Sequence, residues 1–309
     1  MDLKQLEYIV AIAREKNITW AAQKLHITQP ALNQQLLRLE KELKTPLFVR
    51  GRNHMELTKA GEIYVKNAEK MLSLKDETYA AIRDLTGNYQ YDIKLGLTPE
   101  RGLHVFSGIY PLFHEKYPNI RLEPMVLSVK EQQTQIEEGN LTMGLVTLSE
   151  KDRDDNDYYT LQTNGFVLAL PKHPDGSFEC PEFSDDILSH EELKRLEKVP
   201  LALMWKASTL RRQIDQILKN ADCRPKLLFE TESTLTIIRM IQAGMCGSII
   251  ADYYAIPSDN IRYVKLNLPE HYDVALCMKK NTKTDAAVTY LMELIRDFLN
   301  NHHIYEPFS

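Results

Sequence analysis

Hydrogen-bonding side chains are concentrated in one short stretch near the start of this 309-residue chain. Gln29, Asn33 and Gln34 lie there, together with Thr28 and Arg38. An amide side chain can pair through two hydrogen bonds with an adenine edge, whereas hydroxyl and guanidinium groups bind bases or phosphates. The stretch therefore predicts a surface that reads DNA. The alternative left open by these residue types is the polar face of an ordinary surface helix.

A basic hairpin follows this stretch. Leu47–Arg50 and Met55–Leu57 have the pattern of two short strands, and Gly51–Asn53 supplies a turn between them. Arg50 and Arg52 would project from it, and such a hairpin can lie along phosphates or enter the minor groove. A solvated turn is the alternative for either arginine.

Three later segments combine hydroxyl groups with helix N-termini at predicted strand-to-helix joints. They are Thr98, Pro99, Glu100 and Arg101; Ser128, Val129 and Lys130; and Trp205, Lys206, Ala207, Ser208 and Thr209. Open α/β sheets bind ligands at such joints, and free N–H groups there suit a carboxylate or phosphate. Arg101 and Lys206 add positive charge, so the joints predict an anion site. The alternative is that Thr98, Ser128 and Ser208 only cap helices.

Motifs for catalysis or metal binding are absent from the sequence. It contains no P-loop, no G-x-G-x-x-G after a strand, no G-x-S-x-G and no H-E-x-x-H. The four cysteines are far apart and form no C-x-x-C pair, which argues against zinc and favours burial. Cys180, in a predicted loop, is the best candidate for a redox-sensitive thiol. We therefore predict no enzyme activity, no cofactor and no metal.

The charge of the chain is unevenly distributed. Residues 1–60 carry 10 lysines and arginines against 6 acidic residues, whereas residues 61–309 carry 28 against 37. A basic head on an acidic body suggests that only the head meets a polyanion. The sequence shows no apolar stretch of membrane-spanning length and no signal-peptide core, so we expect a cytoplasmic protein.

The basic head has the periodicity of a helix-turn-helix. Apolar spacing predicts a helix over 2–16, a second helix with Thr19 as its N-cap, and a third with Thr28 as its N-cap. Pro30 falls in the first turn of the third helix, where a missing N–H costs little. Behind the polar face runs a leucine stripe. Its members are Leu32, Leu36, Leu39 and Leu43.

These positions resemble the DNA-binding domain of LysR-type transcriptional regulators. The positions that agree in order are Ala21, Ala22, Leu25, Thr28, Gln29, Pro30, Ala31, Leu36, Leu39, Glu40, Leu43, Leu47, Phe48, Arg50, Leu57, Thr58, Ala60 and Gly61. The match covers residues 2–62 and implies a winged helix-turn-helix domain at 1–58. Asn33 stands where the family usually has serine, and Lys44 stands where it usually has glycine.

A long helix is predicted to follow the head. Residues 58–86 contain no proline and only Gly61 as a glycine; Thr58 can cap their start, and Gly87-Asn88 can end them. The linker helix, at 59–88, carries a narrow apolar stripe, which usually finds a partner helix. The family resemblance implies antiparallel pairing and a homodimer or homotetramer; packing on the chain's own body is the alternative.

Apolar strands alternate with helices from residue 91 onward, which predicts an α/β body with largely parallel sheets. Predicted strands are Tyr91–Leu97, Ile120–Val126, Leu141–Thr147, Phe166–Leu170, Leu201–Met204, Lys226–Phe229, Gly247–Ile250 and Val274–Met278. Predicted helices lie near 101–116, 129–138, 189–198, 208–220, 233–243 and 283–300. The acidic run Asp152–Asp157 is predicted to be a loop.

The body resembles the effector domain of the same family, which is similar to type II periplasmic binding proteins. The match depends mainly on Glu230, Ser233 and the run Ile241–Gly247, while Ala251-Asp252 departs from the usual pattern. The resemblance implies that residues 89–309 form an effector domain. Its first subdomain would cover about 91–162 and 268–303 and its second about 163–267, with effector contacts at the three joints and near Thr147.

The sequence thus predicts a multidomain protein with an all-α winged helix-turn-helix head, a linker helix and an α/β two-subdomain body. Its predicted function is that of a DNA-binding regulator with a double-stranded operator and a small anionic effector as partners, without a membrane. The competing hypothesis is a small-molecule-binding module or enzyme whose head contacts another protein.

Overall fold

The structure is a computed structural model that describes residues 2–51, 54–86, 91–183 and 187–301. The chain divides into two compact units. The first takes in Met1–Asn88 with Asn281–Ala286, and the second takes in Tyr89–Lys280 with Ala287–Ser309. None of the described helices is both long enough and apolar enough to span a membrane.

The first unit contains three short helices, a hairpin and a long helix. These elements are α1 (Leu3–Glu15), α2 (Ile18–Lys24), α3 (Gln29–Leu43), β1 (Phe48–Arg50), β2 (Met55–Leu57) and α4 (Lys59–Thr86). Their shared core is formed by residues of α1, α2, α3 and the hairpin, together with Val65 and Ala68 of α4. The helix-turn-helix and the hairpin are therefore one packed body, as predicted.

Two details of the head differ from the sequence-based expectation. The N-cap of α2 is Asn17 rather than Thr19, because the Asn17 side chain accepts hydrogen bonds from the N–H groups of Thr19 and Trp20. In α3, Leu32, Leu36 and Leu39 are buried, whereas Leu43 is 41% exposed. The leucine stripe thus ends one turn early, since the helix itself ends at Leu43.

Two positions fix the chain direction after α3. Lys44 caps α3 in the left-handed conformation, with φ 54° and ψ 27°, and its N–H lies near the carbonyls of Glu40 and Lys41. Lysine thus adopts the turn geometry that glycine would favour. Gly61 lies against Leu47, and a Cβ at Gly61 would be 2.1 Å from the Leu47 carbonyl oxygen.

Helix α4 confirms the predicted linker helix up to Thr86, and residues 87–88 lie outside the described part of the chain. Its start is capped as expected, since Gly61 N–H donates to Thr58 Oγ1 at 3.0 Å. One face packs on α1. The other face leaves large apolar side chains exposed: Ile63, Met71, Leu74, Tyr79, Ile82 and Leu85.

The second unit is built from α/β elements. In chain order its strands are β3 (Asp92–Leu97), β4 (Arg121–Val126), β5 (Met143–Leu148), β6 (Asp157–Asn164), β7 (Phe166–Pro171), β8 (Ile187–Leu188), β9 (Leu201–Met204), β10 (Leu227–Thr231), β11 (Ser248–Ala251), β12 (Ile261–Leu266) and β13 (Tyr272–Met278). Its helices are α5 (Arg101–Lys116), α6 (Val129–Glu138), α7 (His190–Leu193), α8 (Thr209–Asn220), α9 (Thr234–Gln242) and α10 (Ala286–Asn301).

The strands form two groups, which define two lobes. A five-stranded sheet in the order β4-β3-β5-β13-β6, with α5 and α6, is the first lobe. Residues 166–266, with the sheets β11-β7-β12-β8 and β10-β9, are the second lobe. The chain passes between the two sheets at Gly165 and again between Leu266 and Tyr272.

The expectation of largely parallel sheets was wrong. Strands β3, β4 and β5 are parallel, but β13 runs antiparallel to both β5 and β6, and β7 is antiparallel to β11 and β12. The antiparallel strands are those at which the chain enters or leaves a lobe. Strand β6 was missed because its residues are mostly half-exposed and polar, unlike the apolar runs of the central strands.

Most predicted body elements are confirmed, several of them with shifted bounds and one divided in two. The predicted helix 189–198 is a four-residue α-helix followed by a 3₁₀ turn at Lys194–Lys198. The last helix starts at Ala286 instead of 283, and strand β5 starts at Met143 instead of Leu141. Strands β8 and β12 were also not predicted.

Candidate DNA-binding surface and anion site

Helix α3 presents one polar face to solvent. Thr28, Gln29, Pro30, Gln34 and Arg38 are exposed, and Asn33 is half-buried. The opposite face supplies three buried leucines to the head core. The six predicted residues of this helix therefore lie on the side that an approaching duplex could reach. Thr28 also caps the helix, because its Oγ1 accepts from Ala31 N–H at 3.4 Å.

The hairpin is attached to α3 by a carboxylate. Glu40 Oε1 accepts hydrogen bonds from the N–H groups of Leu47 at 2.7 Å and Phe48 at 3.3 Å. Strands β1 and β2 then pair antiparallel, with Phe48 opposite Leu57. Arg52 and the Arg50 side chain lie outside the described residues, so their predicted DNA contacts remain predictions.

Ser128 caps a helix, which was the alternative to a ligand-binding role. Its Oγ donates to Glu131 Oε2 at 2.7 Å, and Glu131 N–H donates to Ser128 Oγ at 3.3 Å, which is a capping box at the start of α6. Hydrogen bonds from Ser128 lower the pKa of the Glu131 carboxyl group. The Ser128 hydroxyl is therefore already engaged within the first lobe.

Thr98 is not a helix cap, and Ser208 is a cap by position only. The N-cap of α5 is Glu100, and Ser208 occupies the N-cap position of α8 without a side-chain capping hydrogen bond. Both side chains are half-buried, while Trp205 and Lys206 are exposed.

Arg101 is a buried cation in the first lobe. It is 5% exposed; its Nη2 donates to Gln162 Oε1 at 2.8 Å, and its guanidinium carbon lies 3.9 Å from the centre of the Tyr253 ring. Among the described residues no carboxylate forms an ion pair with it, and its Nε has no hydrogen-bond partner. The Tyr253 hydroxyl is likewise buried without a partner, and burial raises the pKa of Tyr253 to about 12 against a smaller opposing effect of Arg101.

Several contacts join the two lobes near Arg101. Thr209 Oγ1 donates to the Thr147 carbonyl at 2.5 Å, which brings two predicted site residues together. Glu100 accepts a hydrogen bond from Ser233 Oγ at 2.6 Å. Further along the same boundary, Arg212 Nη2 donates to Asp152 Oδ1 at 2.6 Å.

Asp252, where the sequence departs from the family pattern, lies at the crossovers between the lobes. Its Oδ2 accepts from Gly165 N–H at 2.9 Å, and its Oδ1 accepts from the Tyr272 hydroxyl at 2.9 Å. One side chain thus contacts the first crossover at Gly165 and the end of the second at Tyr272. Asp252 therefore ties the two crossovers together.

Four residues of this region were missing from the predicted site: Glu100, Gln162, Ser233 and Tyr253. Glu100 lay inside a predicted joint but was assigned no role. Gln162 and Tyr253 come from a strand and a 3₁₀ turn remote in sequence, so no local pattern signals them. In the described residues no group of three or more His, Cys, Asp or Glu could hold a metal ion.

Two family models match the chain. Residues 3–62 match the bacterial regulatory helix-turn-helix protein of the lysR family, and residues 87–300 match the LysR substrate binding domain. The second match alone covers more than half of the chain, and each match coincides with one of the two candidate sites.

Curated relatives agree with these matches over most of their length. The uncharacterized HTH-type transcriptional regulator YybE of Bacillus subtilis is 27% identical over 271 residues, which is 87% of this chain and 89% of the relative. A probable RuBisCO transcriptional regulator of Guillardia theta is 29% identical over 255 residues, with coverage of 81% and 79%.

Solved structures show the same fold. A full-length OxyR variant from Pseudomonas aeruginosa superimposes with a TM-score of 0.54 at 24% identity, covering 96% of this chain and 98% of its own. Full-length CbnR in complex with its target DNA gives a TM-score of 0.51 at 20% identity, with coverage of 96% and 99%.

Proposed function

This chain belongs to the LysR family of bacterial regulatory helix-turn-helix proteins, as a DNA-binding transcriptional regulator with a substrate-binding domain rather than an enzyme, and we propose that it responds to a small anionic effector bound between the two lobes. The single observation that carries the proposal is Arg101, a buried guanidinium that forms no ion pair with a carboxylate of the described residues. A buried charge is costly unless a counter-ion compensates it. An anionic ligand would supply that counter-ion.

The proposed ligand contacts come from both lobes. Thr98 and Thr147 join Arg101 from the first lobe, and Trp205, Lys206, Ser208 and Thr209 contribute from the second. The existing Thr209–Thr147 hydrogen bond supports a ligand position at this boundary. The proposed subdomain boundaries near 162–163 and 267–268 lie close to the two crossovers of the chain between the sheets.

We assign DNA reading to the exposed face of α3. Gln29, Asn33 and Gln34 would read base edges, while Thr28, Pro30 and Arg38 approach the backbone and groove walls. Arg50 and Arg52 of the hairpin, at the end of a DNA-binding domain spanning 1–58, would add sequence-independent affinity through phosphates.

The exposed apolar face of α4 supports a homodimer or homotetramer. Ile63, Met71, Leu74, Ile82 and Leu85 are each more than 40% exposed along one helix. Covering such a row with a second helix buries apolar area that water otherwise solvates. A dimer would place two α3 helices in successive major grooves, about 34–36 Å apart or a multiple of that spacing. Effector binding would then change the distance or bend between the two DNA sites.

A thermal-shift screen of the full chain against small carboxylates, amino acids, phosphates and aromatic acids tests the proposal. A ligand at one hundred times its Kd stabilises the folded state by about 2.7 kcal/mol, which raises Tm measurably. The Arg101→Met variant should lose the response, while Arg121→Met, at an exposed arginine of the same lobe, should keep it. A hit that both variants retain would contradict the proposed site.

A further inference from the structure

The carboxylate of Glu100 reaches from the first lobe to the N-terminus of α9 in the second lobe. Its Oε1 accepts from Ser233 Oγ at 2.6 Å and from Leu235 N–H at 3.3 Å, and its Oε2 accepts from Thr234 N–H at 3.1 Å. Free N–H groups at the positive end of a helix are the features with which proteins bind carboxylates. A side chain of the protein itself therefore occupies a place that suits a carboxylate ligand.

Buried polar atoms without a partner lie beside this contact. Arg101, the next residue, is 5% exposed with an unpartnered Nε, and Tyr253 is 6% exposed with an unpartnered hydroxyl. Glu100 and Arg101 both act electrostatically on the buried Tyr254. An unsatisfied buried donor next to a carboxylate-binding helix end means that hydrogen-bonding capacity for an anionic group is left unfilled here.

The backbone of Glu100 is held in an unusual conformation while it makes this contact. Its φ is 60° and its ψ is −81°, a combination that residues other than glycine rarely adopt. The hydrogen bonds to α9 are among the contacts that hold it there. Release of the carboxylate would allow this peptide, which leads directly into α5, to relax.

We propose that Glu100 is an internal ligand that masks a carboxylate subsite at the N-terminus of α9, and that a small carboxylate displaces it, with Arg101 supplying the counter-charge. The inference rests on the proposed function only in identifying the displacing molecule as the effector. Displacement removes one of the ties between the lobes and leaves the Thr209–Thr147 and Arg212–Asp152 hydrogen bonds in place. Ligand binding would thereby change the hydrogen bonds that join the two lobes.

Rescue of a Glu100→Ala variant by acetate tests this subsite in the full chain. Without its carboxylate, the variant should have a lower Tm than the natural chain and faster hydrogen exchange at the amides of Thr234 and Leu235. Sodium acetate should raise the Tm of the variant saturably and slow exchange at these two amides, whereas sodium chloride at equal ionic strength should not. The natural chain, whose subsite is filled, should respond less.

Glu131→Ala is the matched control, since it also removes a carboxylate from a helix N-terminus but within one lobe and away from Arg101. An equal acetate effect on both variants, or no renewed protection of Thr234 and Leu235, would overturn the inference. If Glu100→Ala does not fold, Glu100→Ser removes the carboxylate and shortens the side chain by two heavy-atom positions, and acetate must then restore protection of the same amides.

The two proposals can fail separately. A carboxylate that stabilises the natural chain through Arg101, together with no acetate rescue of Glu100→Ala, would retain the effector site and eliminate the masked subsite. Acetate rescue without any stabilising anion in the screen would establish the subsite and remove the assignment of a carboxylate effector.

Discussion

The Arg101 guanidinium of the first lobe is stacked on the Tyr253 ring of the second, with 3.9 Å between the guanidinium carbon and the ring centre. A cation over an aromatic face gains electrostatic attraction, but less than a paired carboxylate would provide in the same buried position. The contact therefore holds Arg101 in place at the lobe boundary while leaving its charge without a counter-ion.

Replacing Arg101 with methionine should change stability little or raise it. The variant keeps most of the apolar volume and removes a buried charge that lacks a carboxylate partner. Arg211→Met is the matched control, because Arg211 is equally buried but pairs with Asp215 at 2.7 Å and Glu230 at 2.6 Å. Its loss should cost about 2 kcal/mol. Urea unfolding without ligand measures the free energy of unfolding of both variants. A greater loss of stability for Arg101→Met than for Arg211→Met would show that Arg101 serves mainly to stabilise the fold.

Tyr253→Phe should make the chain less sensitive to alkali. Burial raises the Tyr253 pKa from 10.0 to about 12, so the unfolded state releases the phenolic proton first. This stabilising contribution is complete below pH 10 and is lost as pH rises through 12. The unfolding free energy of the natural chain should therefore fall more steeply than that of the variant over this range, by up to about 1.4 kcal/mol per pH unit. Parallel curves of unfolding free energy against pH for the two proteins, from pH 8 to 12, would show that the pKa of Tyr253 is not raised by folding.

Gln29→Ala and Arg52→Ala should affect DNA binding in different ways. Loss of an amide that reads a base should reduce discrimination at one position by about 1–3 kcal/mol. Loss of a phosphate contact should weaken binding to all sequences alike and reduce the salt dependence by about one counter-ion. Binding to the upstream region of the chain's own gene and to shuffled DNA, across a salt series, separates these effects. An unchanged sequence preference in Gln29→Ala would mean that another face of α3 reads the DNA.

Lys44→Gly should stabilise the head. Lys44 has φ 54°, and glycine reaches this conformation without the crowding of a Cβ, a gain of up to about 1 kcal/mol. Lys41→Gly, in the last turn of the same helix, should instead lose about 1 kcal/mol. Thermal unfolding of the two variants compares the same substitution three residues apart. Equal destabilisation by both would show that the left-handed cap carries no strain.

Helix caps, buried helix faces and helix bounds were predictable, because local sequence pattern determines them. Thr28 as a cap, the buried leucines of α3 and the bounds of α5 and α6 follow from helical periodicity and capping chemistry, and each is confirmed. The order of strands within the sheets does not follow from local pattern. Strand β6, with its half-exposed polar residues, carries no apolar run that would reveal it.

The candidate site was predictable only in part for the same reason. Arg101 was recognised from its place at a strand-to-helix joint, but its lack of a carboxylate partner depends on Gln162 and Tyr253, which are 61 and 152 positions away. The role of Glu100 is equally non-local, because α9 begins 134 residues later. Ser128 lies at a similar strand-to-helix joint in the sequence, but its hydroxyl is engaged in a capping box with Glu131.

DNA footprinting of the full chain with and without the most strongly stabilising anion tests the central claim most directly. The natural chain should change its footprint or DNA bend when the anion is added, and Arg101→Met should show the ligand-free footprint under both conditions. Identical footprints of the natural chain with and without an anion that binds it tightly would contradict the account.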